Sequence, residues 1–249
     1  MITKLGVNID HVATLRQQRD EGYPSLVDAA DATLRAGANQ ITIHLREDRR
    51  HIQDTDIQSV LLVTRKFGVP LNLEMGCSRE IAEIAVASAP EWICLVPEKR
   101  EEKTTEGGLD LSDGNFTKVK ETMEYLREHI PGVKISLFVE ASSEIMKSSL
   151  ELKADAVEIH TGMYAKAFLE GEEISPYIKK YQECYELVKD STTLYHAGHG
   201  LTLESVEPLL ELKIFREYNI GHWIIAQSIF EGLDSVTKKF LELFKKYPM

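Results

Sequence analysis

Short apolar runs alternate with longer amphipathic stretches along the whole chain. The apolar runs are rich in β-branched residues, which favour strands, and the stretches between them repeat apolar positions at helical spacing. The predicted strands are residues 4–10, 40–45, 70–75, 91–97, 133–140, 155–160, 193–199 and 218–226. The predicted helices are residues 25–38, 54–67, 78–89, 115–130, 142–153, 175–189, 203–212 and 229–247. The pattern therefore predicts eight strands, each followed by a helix.

This alternation predicts an α/β protein in which βαβ units form a parallel sheet. Eight such units within 249 residues are typical of a TIM (β/α)8 barrel. No Pro/Gly/Ser-rich linker divides the chain, so we expect a single domain over residues 1–249. An open, doubly wound sheet is the alternative, since periodicity does not prove closure. The absence of a GxGxxG or GxxxxGK[ST] loop after any predicted strand disfavours it.

Composition narrows the classes of function. The chain has 40 acidic and 29 basic residues, a formal charge of −11, which disfavours general binding to nucleic acids or anionic membranes. A small anionic substrate is still compatible, because it responds to local charge. Three cysteines without disulfide or zinc spacing indicate a reducing cytoplasm. We find neither an apolar signal core at the N-terminus nor a long apolar run, so no membrane span is expected.

Polar residues gather where the predicted strands end, which is where TIM barrels hold their active sites. Glu74 and Glu158 are expected to face the barrel mouth from opposite sides, either as acids and bases with raised pKa values or as ion-pair partners of an inward arginine. A single histidine is more often structural, but a cluster favours several proton transfers at one location. Seven of the eight histidines lie at or just beyond a predicted strand end: His11, His44, His51, His160, His196, His199 and His222.

Other kinds of chemistry receive less support from the sequence. Glycines 198, 200 and 221 follow strands seven and eight, where TIM barrels often bind phosphate. Arginines 19, 46, 49 and 50 are either solvated or available for a second anion. We predict no metal site, because the HxxH pair of His196 and His199 has poor ligand spacing on a strand. Neither a nucleophile elbow nor a Schiff-base lysine at a strand end is found, so any imine would use an amine from the substrate.

Seven segments, in order and spanning nearly the whole chain, resemble the pyridoxine 5′-phosphate synthase family. They are GVNIDHVATLR (6–16), ITIHLREDRRHI (41–52), NLEM (72–75), CLVPEKREEKTTEGGLD (94–110), EIHTGMYA (158–165), AGHGL (197–201) and NIGH (219–222). The resemblance implies condensation of 1-deoxy-D-xylulose 5-phosphate with 3-amino-2-oxopropyl phosphate to pyridoxine 5′-phosphate, phosphate and water. It also implies a TIM barrel with extra helices, a cytoplasmic location, a homo-octamer built as a tetramer of dimers, and no metal or organic cofactor.

The resemblance also implies roles for individual residues of this chain. His44 resembles the acid–base residue that accepts protons in the elimination steps, and Glu74 resembles a second base. Glu158 resembles a carboxylate that stabilises cationic transition states, and His199 a proton donor. The positions that match binding of the aminoketone phosphate are Asn8, Arg19, Gly200, Gly221 and His222. Those that match binding of the deoxyxylulose phosphate are Asp10, His11, Arg46, His51 and Thr104, the last in a loop expected to close over the ligand.

Two places depart from the family pattern. His196 occupies a position where we expect asparagine, and residues 223–227 replace small residues followed by Gly-Arg. Neither departure affects the acid–base set. Two alternatives remain: another phosphosugar isomerase or aldolase, favoured by a single phosphate site or a Schiff-base lysine, and a non-catalytic barrel, favoured by loss of the proton-transfer residues.

Overall fold

The computed structural model describes residues 3–19, 21–98 and 107–249. Eight parallel strands pair in chain order, and β8 pairs back onto β1, so the sheet is closed. The TIM barrel is therefore confirmed and the open sheet excluded. The strands are β1 (Lys4–Asn8), β2 (Gln40–His44), β3 (Leu71–Met75), β4 (Trp92–Leu95), β5 (Lys134–Val139), β6 (Ala156–His160), β7 (Leu194–Gly198) and β8 (Glu217–Ile220).

The described residues form eleven helices, three more than one per strand. They are α1 (Asp10–Gln17), α2 (Leu26–Ala36), α3 (Asp54–Phe67), α4 (Arg79–Ser88), α5 (Asp113–His129), α6 (Ser143–Glu151), α7 (Gly162–Glu170), α8 (Ser175–Val188), α9 (Glu207–Glu211), α10 (His222–Glu231) and α11 (Leu233–Lys246). The extra helices α1, α7 and α10 begin within two residues of the ends of β1, β6 and β8. No helix of these described ranges is both long and apolar enough to cross a membrane.

The boundaries differ from the prediction mainly beside these extra helices. The prediction that strand eight covers 218–226 was wrong beyond Ile220, because the run from His222 is helical. A short apolar run fits a strand and a buried helix equally well, and only the break at Gly221 separates the two here. Helix α1 lies largely between the first predicted strand (4–10) and the first predicted helix (25–38), and α9 is shorter than the predicted 203–212.

Polar side chains form a hydrogen-bonded layer inside the barrel, below its mouth. Asn72 Nδ2 donates to Thr42 Oγ1 at 3.3 Å, and Asn219 Nδ2 donates to Glu158 Oε2 at 2.7 Å. Thr42 Oγ1 in turn lies 3.5 Å from Asn219 Oδ1. The apolar strand residues are also buried and belong to the core shared with the surrounding helices. The polar layer inside the barrel thus continues into the mouth, where the strands reach their carboxyl ends.

His196 lies inside the barrel and not at its mouth, so the prediction for this histidine was wrong. Its register partner is Glu217, the first residue of β8, and its ring lies 6.0 Å from that of Trp92, the first residue of β4. Burial, with lesser effects of Lys4 and Arg216, lowers the pKa of His196 to about 3. Within β7 this side chain precedes the turn at the mouth, so it belongs to the amino-terminal half of the barrel.

Candidate active site

A cavity of about 430 Å³ opens at the carboxyl ends of the strands. Twelve of the fourteen predicted site residues line it: Asn8, Asp10, His11, His44, Arg46, His51, Glu74, Glu158, His199, Gly200, Gly221 and His222. Further lining comes from Thr14, Arg50, Val96, Phe138 and Asn219. Of the two remaining predictions, Arg19 is exposed beyond the end of α1 and outside this lining, and Thr104 lies outside the described residues.

The turn from β1 into α1 fixes two of the predicted binding residues. Asn8 Oδ1 accepts the backbone N–H of Asp10 at 2.9 Å, and Asn8 Nδ2 donates to Asp10 Oδ2 at 2.8 Å. Asp10 Oδ1 accepts the backbone N–H of His44 at 2.8 Å, which ties this turn to the end of β2. Short Asn and Asp side chains favour such turns because they satisfy nearby backbone groups.

The imidazole of His44 lies between two carboxyl groups. Its Nδ1 is 3.8 Å from Glu74 Oε2, and its Nε2 is 3.1 Å from Glu98 Oε1. The sequence placed Glu98 just after strand four but indicated no role for it. Its position at a strand end was the available signal, whereas its contact with His44 depends on the register of β2, β3 and β4, which are neighbours in the sheet.

Burial changes the protonation of the two predicted carboxylates. Burial, aided by Glu158 and Asp10, raises the pKa of Glu74 well above its ordinary value. Burial likewise raises the pKa of Glu158 to about 8, against the hydrogen bond from Asn219. Burial thus favours the protonated form of both carboxyl groups, and Glu158 keeps its proton at neutral pH. Among the described residues, Glu74 has a polar contact with His44 and Glu158 with Asn219.

The turn after β7 presents His199 to the cavity in a left-handed conformation. His199 has φ 79° and Gly200 has φ 77°. A non-glycine residue in this region is strained, and Thr161 holds the turn by donating from Oγ1 to the carbonyls of Gly198 and His199, each at 2.7 Å. Burial, with smaller effects of neighbouring histidines, lowers the pKa of His199 to about 4. Its ring is therefore neutral at pH 7.

A second histidine–carboxylate pair lies beside His199. The ring centroids of His160 and His199 are 5.0 Å apart in an edge-to-face arrangement. His160 Nδ1 lies 2.6 Å from Glu140 Oε1, and the same oxygen accepts the backbone N–H of Gly108 at 3.0 Å. The hydrogen bond from His160 lowers the pKa of Glu140, despite its burial. Glu140 and His160 are the last residues of two predicted strands, but the sequence indicated no function for either one.

The turn from β8 into α10 lines the cavity beside the turn from β1 into α1. His222 begins α10, and its ring centroid is 4.9 Å from that of His11. A Cβ at Gly221 would lie 2.9 Å from Asn8 Cβ, so glycine permits the two turns to approach. The unpaired backbone N–H groups of the first turn of α10 favour a bound anion.

His51 and the arginines after β2 form the cationic side of the site. His51 Nδ1 accepts the backbone N–H of Ile52 at 2.8 Å, so the neutral ring carries its hydrogen on Nε2. Burial is the largest cause of a lowered pKa for His51. Arg46 is buried, and Arg50 pairs with Asp48 at 2.6 Å.

Three side chains have the types and spacing of a possible metal site. One ligand atom from each of Asp10, His44 and Glu74 lies within 4.8 Å of the others. Both oxygens of Asp10 accept hydrogen bonds, and burial favours the protonated form of Glu74. Because a metal ligand must be deprotonated, a cation here would have to displace the proton that burial favours on Glu74. The pair considered in the sequence, His196 and His199, does not converge.

A closed barrel whose mouth surrounds a cavity with histidines and buried carboxyl groups defines a TIM-barrel enzyme of acid–base chemistry. The family described as "Pyridoxal phosphate biosynthesis protein PdxJ" matches residues 5–246. A pyridoxine 5′-phosphate synthase of Aquifex aeolicus is 45% identical over 97% of this chain and 99% of its own. That of Aliivibrio fischeri is 46% identical over 92% of both. The chain belongs to the pyridoxine 5′-phosphate synthase family and is an enzyme of pyridoxine biosynthesis.

Solved structures of low sequence identity share the fold. A thiamine phosphate pyrophosphorylase from Pyrococcus furiosus has a TM-score of 0.61 at 14% identity, covering 98% of this chain and 96% of that one. A structure titled KGPDC from Streptococcus mutans has a TM-score of 0.65 at 10% identity, covering 99% of both chains. At these identities the likeness concerns the barrel alone.

Proposed function

We propose that the chain condenses 1-deoxy-D-xylulose 5-phosphate with 3-amino-2-oxopropyl phosphate and releases pyridoxine 5′-phosphate, phosphate and water. One observation carries the proposal: His44, Glu74, Glu158 and His199 come from four different strand ends and meet at one cavity. Imine formation, phosphate elimination and ring closure all move protons, so they require several such groups within reach of one substrate.

The two phosphorylated substrates are proposed to occupy neighbouring parts of the cavity. The deoxyxylulose phosphate binds beside Asp10, His11, Arg46 and His51, where the described arginines supply cationic donors. The resemblance adds Thr104, which lies outside the described residues, to these contacts, and Arg19, which lies outside the cavity lining, to those of the aminoketone phosphate. The aminoketone phosphate binds beside Asn8, Gly200, Gly221 and His222. There the turn glycines and the first turn of α10 offer backbone N–H groups to a phosphate.

Each of the four groups is proposed to take the role that the family resemblance implies for it. His44 accepts protons during elimination, with Glu74 as the second base once it has lost its own proton. His199 donates the proton that leaves with water as the imine forms. Since its pKa is about 4, His199 must first gain a proton, and bound phosphate dianions favour that gain. Glu158 stabilises cationic transition states when ionised.

No metal and no organic cofactor are part of the proposal. The substrate supplies the amine, and each step is a proton transfer, an addition or an elimination that the side chains can serve. The proposal also treats residues 1–249 as a single domain in the cytoplasm, with small-molecule rather than nucleic-acid partners. Three unpaired cysteines and the charge of −11 support it.

We propose a homo-octamer, built as a tetramer of dimers, as the assembly. Large apolar side chains are exposed on α1, after it, and on α10: Leu15 by 58%, Tyr23 by 67%, Ile229 by 72% and Phe230 by 82%. Helices α1 and α10 also contact each other, which favours one continuous surface for self-association. Native mass spectrometry should give eight subunits, and Phe230→Asp should shift the distribution to smaller species. A monomeric wild type would contradict the assembly.

The test of the reaction is an assay of pyridine absorbance and phosphate release with both substrates, with and without a chelator. We expect chelator-resistant product formation that falls by about 10²–10⁴-fold in His44→Ala, because a positioned acid–base group contributes that much. His129→Ala is the matched control, since His129 ends α5 and contacts Tyr125 instead of the cavity.

Each contrary result has a distinct meaning. Folded wild-type protein that yields no pyridine product contradicts the proposed substrates. Loss of activity with the chelator contradicts the metal-free site. Full activity of His44→Ala contradicts the role of His44 and leaves the reaction itself standing.

A further inference from the structure

His44 contacts a different carboxyl group with each of its ring nitrogens. Nδ1 lies 3.8 Å from Glu74 Oε2, and both of these residues line the cavity. Nε2 lies 3.1 Å from Glu98 Oε1, and Glu98 lines a neighbouring cavity instead. Nδ1 is therefore the nitrogen on the side of the reacting groups, and Nε2 is directed toward Glu98.

The carboxylate of Glu98 is held in place by the backbone of two neighbouring turns. Its Oε1 accepts the N–H of Gly76 at 3.0 Å, and its Oε2 accepts the N–H of Glu47 at 3.1 Å. A Cβ at Gly76 would lie 3.1 Å from the carboxyl carbon of Glu98, so the glycine permits this approach. Turns after β2, β3 and β4 thus meet at one carboxylate, which leaves little freedom for the bond to His44.

The charge of Glu98 determines which ring nitrogen carries the hydrogen. Burial opposes ionisation, but the hydrogen bonds from His44, Glu47 and Gly76 outweigh it and lower the pKa of Glu98. An ionised carboxylate only accepts hydrogen bonds. Nε2 of His44 must then be the donor in this contact, and the lone pair of a neutral ring lies on Nδ1.

We propose that Glu98 is a positioning residue that fixes His44 as the Nε2–H tautomer, so that Nδ1 takes the substrate proton. The inference rests on the proposed role of His44 as proton acceptor. In the elimination step the proton passes from a substrate carbon to Nδ1, and the electron pair of that C–H bond forms the new double bond as phosphate leaves. Glu98 stays ionised throughout and stabilises the imidazolium that forms.

Replacing Glu98 with the isosteric glutamine tests this role. The side chain of glutamine has one acceptor oxygen, and its NH2 group would face one of the N–H donors around Glu98. It therefore cannot accept hydrogen bonds from His44 and from both backbone N–H groups. We expect Glu98→Gln to lower kcat by about 10²-fold with KM nearly unchanged. The acidic limb of the kcat profile should move to lower pH by about one unit, because the imidazolium loses its counter-charge.

Glu91→Gln is the matched control for a merely structural effect. Glu91 likewise accepts a backbone N–H, that of Leu71 at 3.1 Å, and pairs with Arg65 near the amino-terminal ends of the strands. We expect its kcat and pH profile to equal those of the wild type. If Glu98→Gln changes only the melting temperature, as Glu91→Gln would, the positioning role is wrong.

A second measurement depends neither on activity nor on the folding of the Glu98 variant. Magic-angle-spinning NMR of wild-type protein with 15N-labelled histidine rings, assigned by comparison with His44→Asn, reports the tautomer directly. We expect hydrogen on Nε2, and hydrogen on Nδ1 overturns the inference. Full turnover of His44→Ala refutes the role of His44 itself. An inactive His44→Ala beside an unchanged Glu98→Gln refutes the inference alone.

Discussion

The carboxyl group of Glu158 requires glycine at the end of β7. A Cβ at Gly198 would lie 2.1 Å from Glu158 Oε1 and 3.0 Å from the carbonyl oxygen of Asn219. A side chain on β7 here would press on the carboxyl group from β6 and on the backbone of β8 at the same time. The position of the buried acid therefore depends on the absence of a side chain on the neighbouring strand.

Gly198→Ala should displace Glu158 and lower kcat by about 10²-fold, because a shift near 1 Å in a reacting group has such an effect. Gly114→Ala is the control, since a Cβ there meets nothing within 4 Å. Steady-state kinetics of both variants would decide the matter. Equal turnover in the two variants would show that Glu158 tolerates displacement.

At this scale the sequence predicted residue types and strand ends well, and contacts poorly. Twelve of fourteen predicted site residues line the cavity, because strand ends in a parallel barrel converge on one mouth. Glu98 and Glu140 were not predicted as partners of His44 and His160, since each pair joins residues 54 or 20 positions apart. Such pairings depend on strand register, which the spacing of apolar residues does not reveal.

Among the elements, α1 is fixed to the barrel by a buried ion pair. Arg16 donates to both oxygens of Asp56 on α3, at 2.8 and 2.7 Å, and also to the carbonyl of His51 at 3.3 Å. Asp56 Oδ2 further accepts the N–H of Gln53 at the start of α3. Through its bond to the carbonyl of His51, Arg16 also links α1 to a residue that lines the cavity.

Asp56→Asn should lower the free energy of unfolding by about 3 kcal/mol, because Arg16 would retain a poorly solvated, uncompensated charge. Urea unfolding monitored by circular dichroism measures this loss. In contrast, Asp31→Asn breaks the exposed pair with Arg35 within α2 and should have a much smaller effect. Similar losses in the two variants would contradict the importance of the buried pair.

The strand–helix alternation was predictable, while the extra helices were not. Helices α7 and α10 begin directly after a strand end, without a loop that would separate the two patterns. Helix α1 has charged and apolar residues in a span of only eight residues. So short a helix depends on tertiary contacts such as Arg16–Asp56 rather than on its own propensity.

On the scale of the whole molecule, closure of the barrel buries an acid that serves none of the proposed steps. Glu217 is 4% exposed, and its Oε1 has no hydrogen-bond partner within the described chain. Burial raises its pKa to about 7, against the effects of Lys4 and Asn219. The folded state thus binds this proton more tightly than the unfolded state, whose pKa is near 4.5.

The stabilising effect of that proton is present below pH 4.5 and is lost as pH rises through about 7. From pH 5 to pH 8 the free energy of unfolding of Glu217→Gln should therefore rise by about 3 kcal/mol relative to that of the wild type. Urea unfolding at both pH values checks this, with the exposed Glu121→Gln as control. A difference from wild type that is constant with pH would contradict a titrating Glu217.

The desolvated imidazoles at the mouth link ligand binding to proton uptake from the solvent. Burial lowers the pKa of His11 and His51, and that of His199 falls to about 4. A bound phosphate dianion favours the imidazolium form, so some of these rings should ionise as it arrives. Calorimetric titration with the deoxyxylulose phosphate alone, at pH 7 in buffers of different ionisation enthalpy, should show uptake on the order of half a proton. An apparent enthalpy independent of the buffer would mean that the ligand binds a site already charged to receive it.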